Sequence, residues 1–500
     1  MGSTGDKLMS KKFLKVFFSM SLLLIIGKLM GFAKSMLIAY HYGAGYISDV
    51  ISFEDSLINE LYSVFATFLG CTFIPTYLSE NENTRTELTN KLLSAGIFFI
   101  SVIILAAELF APQLLKILVP GFFDIYDISQ MVIITRINLI NLFGIFLINY
   151  LATLLQANKI YIFLALEGVI SSLFIILYLC FLWQYEIWGI VVTRIISSAV
   201  IVGILLTAVR TTKIHSFKMY TRINDDRIKG MVKTAFPLLI VSVLYQMNYI
   251  VDKSMASGFM SGSVASLNYA NLLATALYGV VGYIISTYAY PMMAEKSEDS
   301  KKVFNKYYYL LCGFVIPIAV AMCFFSKDIV AIVFGRGQIT SENIQVISLL
   351  LICYLPGIIA YCIKNYLVKM FYVQKDTRVL VFIDSAGVLV NIGLNFILAK
   401  FLGVYGLAIA TSISYYISMI LQFIILTKRE YIVATKGINI RIMIMLIPTV
   451  LLSMLMSFVA VSYIESQALR LAIFMFTTCI GLIIFNIESI RTLVVASAKR

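Results

Sequence analysis

Charged side chains inside long apolar segments are the residues of this sequence with the clearest chemical potential. Lys28 and Lys34 both fall in the first apolar segment. Six helical steps of about 100° place them about 120° apart, so both can line one wide cavity but not one narrow stripe. Ionisable residues in hydrocarbon predict either a functional cavity or ion pairs between helices. The next segment adds four possible cavity acids, Asp49, Glu54, Asp55 and Glu60, of which the last three could instead pair with the lysines.

Two arginines and one glutamate lie in later apolar segments. Arg136 falls in the fourth segment, Glu167 in the fifth and Arg194 in the sixth. A charge in hydrocarbon needs a partner. We therefore predict a buried arginine–glutamate pair that holds this part of the chain together, with contact to a transported substrate as the alternative.

A group of oxygen-bearing side chains occurs in the second half of the chain. Asn391 and Asn395 are four residues apart and share one helix face. Together with Asp252 and Thr411 they offer the hard oxygen ligands that a small cation prefers. The group predicts a candidate sodium site, with hydrogen bonds between helices as the alternative. Asp384 precedes the two asparagines on the same predicted helix. We predict that its carboxylate is either proton-linked or paired with another side chain.

An enzyme is not indicated. The two histidines, His41 and His215, are far apart and lie in or near loops. No GxxxxGK[ST] phosphate-binding loop occurs, so the chain itself does not use ATP. The seven cysteines lie in apolar segments without a CxxC pair, which argues against a metal or disulfide framework.

The composition requires a lipid environment for most of the chain. Of its 500 residues, 60% are hydrophobic and only 13% are charged. A spanning helix needs about 20 apolar residues, and we predict an all-α integral membrane protein with about fourteen such helices. The predicted spans are 13–38, 49–76, 91–111, 130–155, 160–183, 187–209, 231–255, 265–292, 307–326, 345–370, 379–401, 404–427, 442–463 and 468–487.

The net charge of +13 does not indicate nucleic-acid binding. Lys and Arg are concentrated in alternate loops, most densely at 210–229, whereas the loops near 40–48, 184–186 and 256–263 have none. This distribution follows the positive-inside rule. It predicts a multi-pass protein with both termini in the cytoplasm, which agrees with an even number of helices.

An internal repeat divides the chain. Pro75 and Pro291 end matching segments, Asn149 and Asn365 begin the matching NYL motifs, and both pairs are 216 residues apart. Each repeat holds six predicted helices, so the two halves enter the membrane in the same direction, as parallel repeats do. The predicted organisation is a six-helix lobe at 1–209, a basic cytoplasmic connector at 210–229, a second six-helix lobe at 230–428, and two extra helices with a tail at 429–500.

Six segments spread over nearly the whole chain carry a resemblance to a known family. They are GKLMGFAKSMLIAYHYGAGYISD (27–49), FIPTYLSE (73–80), VDKSMASGFMSGSVASLNYAN (251–271), IVFGRGQITSENI (332–344), VKMFYVQKDTR (368–378) and NIGLNFILAKFLGVYGLAIATS (391–412). Taken as a set and in this order, they resemble the MurJ/MviN family of lipid II flippases within the MATE-like exporter superfamily.

The resemblance implies a V-shaped pair of six-helix lobes with two C-terminal helices beside them. It implies a monomer in the bacterial cytoplasmic membrane that moves an undecaprenyl-diphosphate-linked saccharide, lipid II, from the inner to the outer leaflet by alternating access. Burying an unpaired diphosphate in hydrocarbon costs many kcal/mol, so the cavity must be polar and cationic. Sodium or the membrane potential is the expected driving force, and no other cofactor is implied.

The resemblance also implies which residues bind the head group. Family cavity cations correspond to Lys28 and Lys34, and two more correspond to Tyr62 and Leu272, with Asn271 beside the latter. Tyr62 and Leu272 carry no charge, so the sequence departs from the family where lipid II would be recognised. The family's sodium-site positions correspond to residues of the Asp252 group described above.

Other functions remain open at this stage. The missing cations and added acids favour a flippase for another lipid-linked oligosaccharide, such as a capsule or O-antigen unit, as the first alternative. A cation-coupled drug antiporter of the same superfamily is less favoured. A polytopic glycosyltransferase or polymerase would need a larger external loop than 112–129 or 327–344. A scaffold that no longer transports is the remaining class.

Overall fold

The fold is a bundle of long helices. The computed structural model describes residues 3–126, 128–221, 224–295 and 300–432, with positions 466, 469, 472 and 473. Within these ranges it describes the side chains from Leu22 onward, except at positions 83, 164, 165, 237, 238 and 241. Within these ranges the long helices are α1 (Ser3–Tyr42), α2 (Tyr46–Ser79), α3 (Glu82–Leu109), α4 (Ile128–Ala157), α5 (Ile162–Phe181), α6 (Glu186–Thr211), α7 (Asp226–Ala256), α8 (Ser263–Glu295), α9 (Ser300–Phe324), α10 (Ser341–Val373), α11 (Thr377–Leu402) and α12 (Val404–Lys428).

The predicted all-helical membrane architecture is confirmed. Each of the first twelve predicted spans falls on one of the long helices, and ten helices in the described ranges are long and apolar enough to cross a membrane. The last two predicted spans, 442–463 and 468–487, lie outside the described residues.

The chain packs as two compact units, residues 1–262 and 263–500. This boundary differs from the predicted lobe boundary at 210–229, because α7 packs with the first unit. The reason is a series of polar contacts along α2. Lys253 Nζ donates to the Ser52 carbonyl at 2.8 Å, and Gln246 Nε2 donates to Ser63 Oγ at 2.6 Å.

Helix α4 is the centre of the first unit. It packs against α2, α3 and α6, and its Phe146 and Tyr150 are buried in the shared apolar cluster. Gly96 of α3 leaves room for the Phe146 ring, which a methyl group at that position would overlap. The Tyr150 hydroxyl donates to the Thr89 carbonyl at 2.9 Å. Small residues opposite large ones allow membrane helices to approach closely.

Helix α10 is the corresponding centre of the second unit, and it packs against α8, α9 and α12. Gly357 admits Ser412 of α12, whose hydroxyl donates to the Cys353 carbonyl at 2.7 Å. The Tyr366 hydroxyl donates to the Phe304 carbonyl at 2.7 Å. Tyr366 follows Tyr150 by the 216-residue repeat offset, so the repeat in the sequence extends to an individual side-chain contact.

Both repeat-related helices α2 and α8 contain one π-helical segment. The segments are Leu69–Phe73 and Tyr278–Gly282, and each precedes the proline that marks the repeat, Pro75 or Pro291. A π-helical segment changes the direction of a helix locally and frequently occurs at functional sites. Both halves of the chain therefore contain an irregular helix, although the two π-helical segments are seven residues out of the 216-residue register.

The predicted connector at 210–229 is held against the end of α3. Asn90, which is 2% exposed, donates through Nδ2 to the Ser216 carbonyl at 2.9 Å. Its Oδ1 accepts from the Lys218 backbone N–H at 2.9 Å and from His215 Nε2 at 3.0 Å. The side chain of one residue thus satisfies three groups of the connector, which is folded rather than a free linker.

An ion cluster lies at the end of the connector, where α7 begins. Asp225 accepts from Arg227 Nη2 at 2.7 Å and lies 3.2 Å from Lys91 Nζ. Arg227 also lies 3.4 Å from Glu80 at the end of α2. The hydrogen bonds from Arg227 hold the pKa of Asp225 well below its usual range. Carboxylate and guanidinium therefore remain charged at neutral pH and fix the start of α7.

Acid is expected to loosen the connector through His215. Burial lowers the pKa of His215 to about 4, against about 6.5 in an unfolded chain. Above pH 6.5 both states are neutral and nothing is lost, whereas between pH 6.5 and 4 the unfolded chain binds the proton and the folded chain is destabilised. The melting midpoint of the wild-type chain should fall below that of His215→Gln as the pH drops through this range.

The glutamine variant is the control, because Gln can donate to Asn90 but does not titrate. The difference between the two midpoints should be constant above pH 6.5 and below pH 4. A difference that stays constant from pH 7 to pH 4 would show that His215 has the same pKa in the folded and unfolded chain, and would contradict the prediction.

Candidate functional site

A polar cavity of about 430 Å³ lies inside the first unit. Its walls come from α1, α2, α4, α5 and α6. Its polar and charged lining residues are Lys28, Lys34, Asp55, Asn59, Tyr62, Asn141, Glu167, Ser171, Arg194, Ser197 and Ser198. Three cations, two carboxylates and several amides and hydroxyls therefore surround one space within hydrocarbon-spanning helices.

Both first-helix lysines line this cavity, as their helical spacing predicted. Lys34 Nζ lies 3.2 Å from Asp55 Oδ2, and the two side chains keep 20% and 24% of their exposure. The lysine–carboxylate pairing that the sequence left open is thus present for Lys34, and the pair itself faces the cavity. For Lys34, the predicted position in the cavity wall and the predicted ion pair with a second-helix acid are therefore both observed.

The predicted arginine–glutamate pair is wrong. Arg194 Nη2 donates instead to Asp55 Oδ1, and Glu167 accepts from the Tyr62 hydroxyl at 2.8 Å. Arg136 lies 3.7 Å from Glu108 and is 44% exposed, away from the other arginine. The α2 carboxylate of Asp55 lies close enough to α6 to pair with the Arg194 guanidinium. Glu167 is satisfied instead by the hydrogen bond from the Tyr62 hydroxyl.

Three of the four predicted cavity acids do not line the cavity. Glu54 is buried and accepts from Thr135 Oγ1 at 2.6 Å and Asn138 Nδ2 at 2.5 Å. Asp49 accepts from the Tyr126 hydroxyl at 2.9 Å and from the Gly262 backbone N–H at 2.7 Å. These two carboxylates face α4 and the chain segments at the helix ends, because α2 rotates about 100° per residue. Glu60 is half-buried elsewhere on α2.

Asp49 lies in a region where the start of α2 and the end of α7 are closely packed. Gly121, between α3 and α4, lies so close to Gly258 that a side chain there would overlap the backbone of Gly258. The Gly121 N–H donates to Ser257 Oγ at 3.2 Å. Glycine is therefore required at position 121 for close approach, whereas a methyl group at Gly258 would meet only the Met255 carbonyl at an ordinary 3.5 Å.

Sequence reasoning missed two amides of the cavity and one lysine outside it. Asn59 and Asn141 line the cavity. Their amides are uncharged, and the prediction selected mainly ionisable residues in the apolar segments. Lys253 was also missed, although it follows Asp252 directly. Its Nζ contacts Ser56 Oγ in addition to the Ser52 carbonyl, between α7 and α2. The rule that flags ionisable residues in spans could have found Lys253.

The candidate cation ligands of the second unit come together. Asn395 Nδ2 donates to Asn391 Oδ1 at 3.0 Å, and Asn391 Nδ2 donates to Thr411 Oγ1 at 3.3 Å. Asp252 belongs to the first unit and is 6% exposed. Asn391 Oδ1 and Thr411 Oγ1 both accept amide hydrogen bonds, so a cation would have to replace these donors. The arrangement matches the hydrogen-bonded alternative, and sodium binding stays a prediction.

The remaining polar predictions fall on α8 and α11. Asn271 and Leu272 are half-buried on α8 in the second unit. Asp384 pairs with Lys364 of α10 at 2.7 Å, with side-chain exposures of 21% and 5%. The pairing role predicted for Asp384 is therefore confirmed, and Lys364 is a buried lysine that the sequence analysis did not single out.

Comparison with known proteins places this architecture. The family model described as "Lipid II flippase MurJ" matches residues 38–478. A "Probable lipid II flippase MurJ" of Rickettsia prowazekii is 24% identical over 483 residues, covering 93% of this chain and 95% of the relative. One from Rhizobium tropici is 24% identical over 430 residues, covering 81% and 79%.

Solved structures show the same fold. "Lipid II flippase MurJ, inward closed conformation" aligns with a TM-score of 0.82 at 20% identity, covering 94% of this chain and 99% of that chain. An inward-facing multidrug-resistance MATE transporter aligns with a TM-score of 0.65 at 13% identity, covering 82% and 97%. The family match over most of its length shows that this chain belongs to the lipid II flippase MurJ family.

Proposed function

We propose that this protein is a lipid II flippase that moves an undecaprenyl-diphosphate-linked peptidoglycan precursor from the inner to the outer leaflet by alternating access. The observation that carries the proposal is the cavity of the first unit, where Lys28, Lys34 and Arg194 meet inside spanning helices. A diphosphate can leave water only where cations replace its hydration. The family membership supplies the substrate class.

The lining of the cavity suits the head group in two ways. Lysine ammonium groups act as point charges for phosphate oxygens, and a guanidinium adds a planar fork for two of them. Asn59, Asn141 and the serines of α6 provide donors and acceptors for sugar hydroxyls. The apolar tail of the substrate can stay in the bilayer, so only the head group needs this cavity. The proposed role is transport without covalent chemistry.

Complementation tests the substrate. The resident lipid II flippase of a test bacterium is depleted while this chain is expressed and its membrane level is measured. Growth and outward lipid II transport are expected to recover. Correct insertion without recovery would exclude lipid II. A strain that lacks its capsule-unit flippase then tests the first alternative, which the uncharged Tyr62 and Leu272 favour.

We further propose that the chain acts as a monomer in the bacterial cytoplasmic membrane with both termini in the cytoplasm. The alternation of Lys- and Arg-rich loops with loops that lack them supports this orientation. For the driving force we propose sodium, bound near Asn391 and Thr411, or the membrane potential. Transport in vesicles with and without sodium, at a clamped potential, separates the two.

A further inference from the structure

Asp55 lies between two cations of the cavity. Its Oδ2 is 3.2 Å from Lys34 Nζ, and its Oδ1 accepts from Arg194 Nη2. Arg194 is only 7% exposed, so its guanidinium is fixed at the cavity wall. Each carboxylate oxygen therefore has its own cation. Two neighbouring phosphate oxygens could take the same two positions, because carboxylate and phosphate use the same charge-assisted geometry.

The cationic side chains of this cavity differ from those that the family resemblance implied. Tyr62 of α2 carries no charge and donates to Glu167, so it does not replace a missing cation. Arg194 reaches the same cavity from α6 instead. It brings the bidentate fork that Lys28 and Lys34 lack. The cavity thus contains an arginine from α6, for which the sequence offered substrate contact only as the alternative to an arginine–glutamate pair.

Resting on the proposed function, we propose that Asp55 is an internal stand-in for the substrate diphosphate. In the empty cavity its carboxylate neutralises Lys34 and Arg194. The diphosphate of the lipid-linked substrate displaces Asp55 and binds both cations. Arg194 is accordingly a substrate-binding residue rather than a purely structural one.

Displacement follows from the charges involved. A diphosphate carries more negative charge than one carboxylate and has more acceptor oxygens, so it outcompetes Asp55 for the two cations. The two anions repel each other at close range, so they do not share the cations. Return of Asp55 helps the product to leave, because a site that permits passage must not hold its cargo too tightly.

The displaced carboxylate has another cation nearby. Lys253 of α7 reaches the turn of α2 that holds Asp55, where its ammonium donates to the Ser52 carbonyl and contacts Ser56 Oγ. Asp55 can therefore turn from the cavity toward Lys253 without becoming an unpaired buried charge. This lowers the cost of displacement, since an uncompensated buried charge is strongly destabilising.

The test is the affinity of the purified full-length protein, in phosphatidylcholine nanodiscs, for farnesyl diphosphate. Asp55→Asn keeps the size of the side chain and removes the competing charge. It is expected to bind the probe about tenfold more tightly, the scale of one charge-assisted hydrogen bond. Arg194→Gln is expected to bind about tenfold or more weakly for the same reason. Arg136→Gln is the matched control and should bind as the wild type does, because Arg136 lies outside the cavity.

The sign of the Asp55 effect decides the proposal. A structural Asp55 would make Asp55→Asn bind more weakly or equally, and either result overturns the stand-in role. Unchanged binding by Arg194→Gln would also overturn it. Asp55→Ala removes the same charge and replaces the amide variant if that variant folds poorly.

The two proposals fail in different ways. Expected binding changes without rescue of a lipid II-depleted strain would refute lipid II as the substrate and leave the stand-in role intact. Rescue by the wild type without tighter binding by Asp55→Asn would refute the stand-in role alone. If neither the wild type nor Asp55→Asn binds the diphosphate probe, the stand-in role and the head-group role of the cavity are both refuted.

Discussion

Replacing Lys34 by alanine is expected to reduce lipid II transport by about ten- to a hundredfold. A charge-assisted hydrogen bond is worth about 1.5–3 kcal/mol, and each 1.4 kcal/mol is about tenfold. The loss would come from the head group, because Asp55 keeps Arg194 as its partner when Lys34 is absent. The measurement is outward lipid II transport in depleted cells at matched membrane levels.

Lys116→Ala is the matched control for this experiment. Lys116 is exposed in the short helix Ala111–Leu118 and does not line the cavity. It should transport at the wild-type rate, whereas Lys28→Ala should fall in the same direction as Lys34→Ala. Wild-type transport by the Lys34 variant would place the head group elsewhere in the protein.

Replacing Lys364 by methionine is expected to lower the free energy of unfolding by about 3 kcal/mol. Removing one partner of a buried ion pair costs about 3–5 kcal/mol, because the other charge stays buried without compensation. The lower end applies, since the Asp384 side chain keeps 21% of its exposure. Unfolding of the purified protein in mixed micelles with increasing dodecyl sulfate measures the change.

The double variant Lys364→Met/Asp384→Leu distinguishes the pair from the lysine itself. Two apolar side chains of similar volume often replace a buried pair without loss, so most of the stability should return. Lys400→Met, at the exposed end of α11, is the control and should change the free energy by less than about 1 kcal/mol. A double variant no more stable than the single one would show that Asp384 has a separate stabilising role.

Cavity placement was predictable from sequence only for side chains that share one helix. Lys28 and Lys34 face one cavity because helical geometry relates residues six apart without reference to any neighbour. The same argument could not place Glu54 and Asp55. These adjacent acids point to different neighbours, Glu54 to Thr135 and Asp55 to Arg194, and only the rotation of α2 within the bundle decides between them.

Partner choice between helices depended on distances that the sequence does not contain. The chain separates Asp55 from Arg194 by 139 residues and Tyr62 from Glu167 by 105. Glu167 and Arg194 in neighbouring spans have complementary charges, yet the Arg194 guanidinium pairs with Asp55 of α2. Any carboxylate can satisfy any cation, so charge alone leaves the pairing undetermined.

The sequence by itself determined the spans, the internal repeat and the family. Hydrocarbon thickness imposes a length of apolar residues on each helix, and a repeat of 216 residues is visible without coordinates. The tertiary structure decided that α7 packs with the first unit, that Arg194 reaches the cavity and that Asp55 holds two cations there. The physical reason is that hydropathy depends on each segment alone, whereas ion pairs depend on how helices rotate and pack against one another.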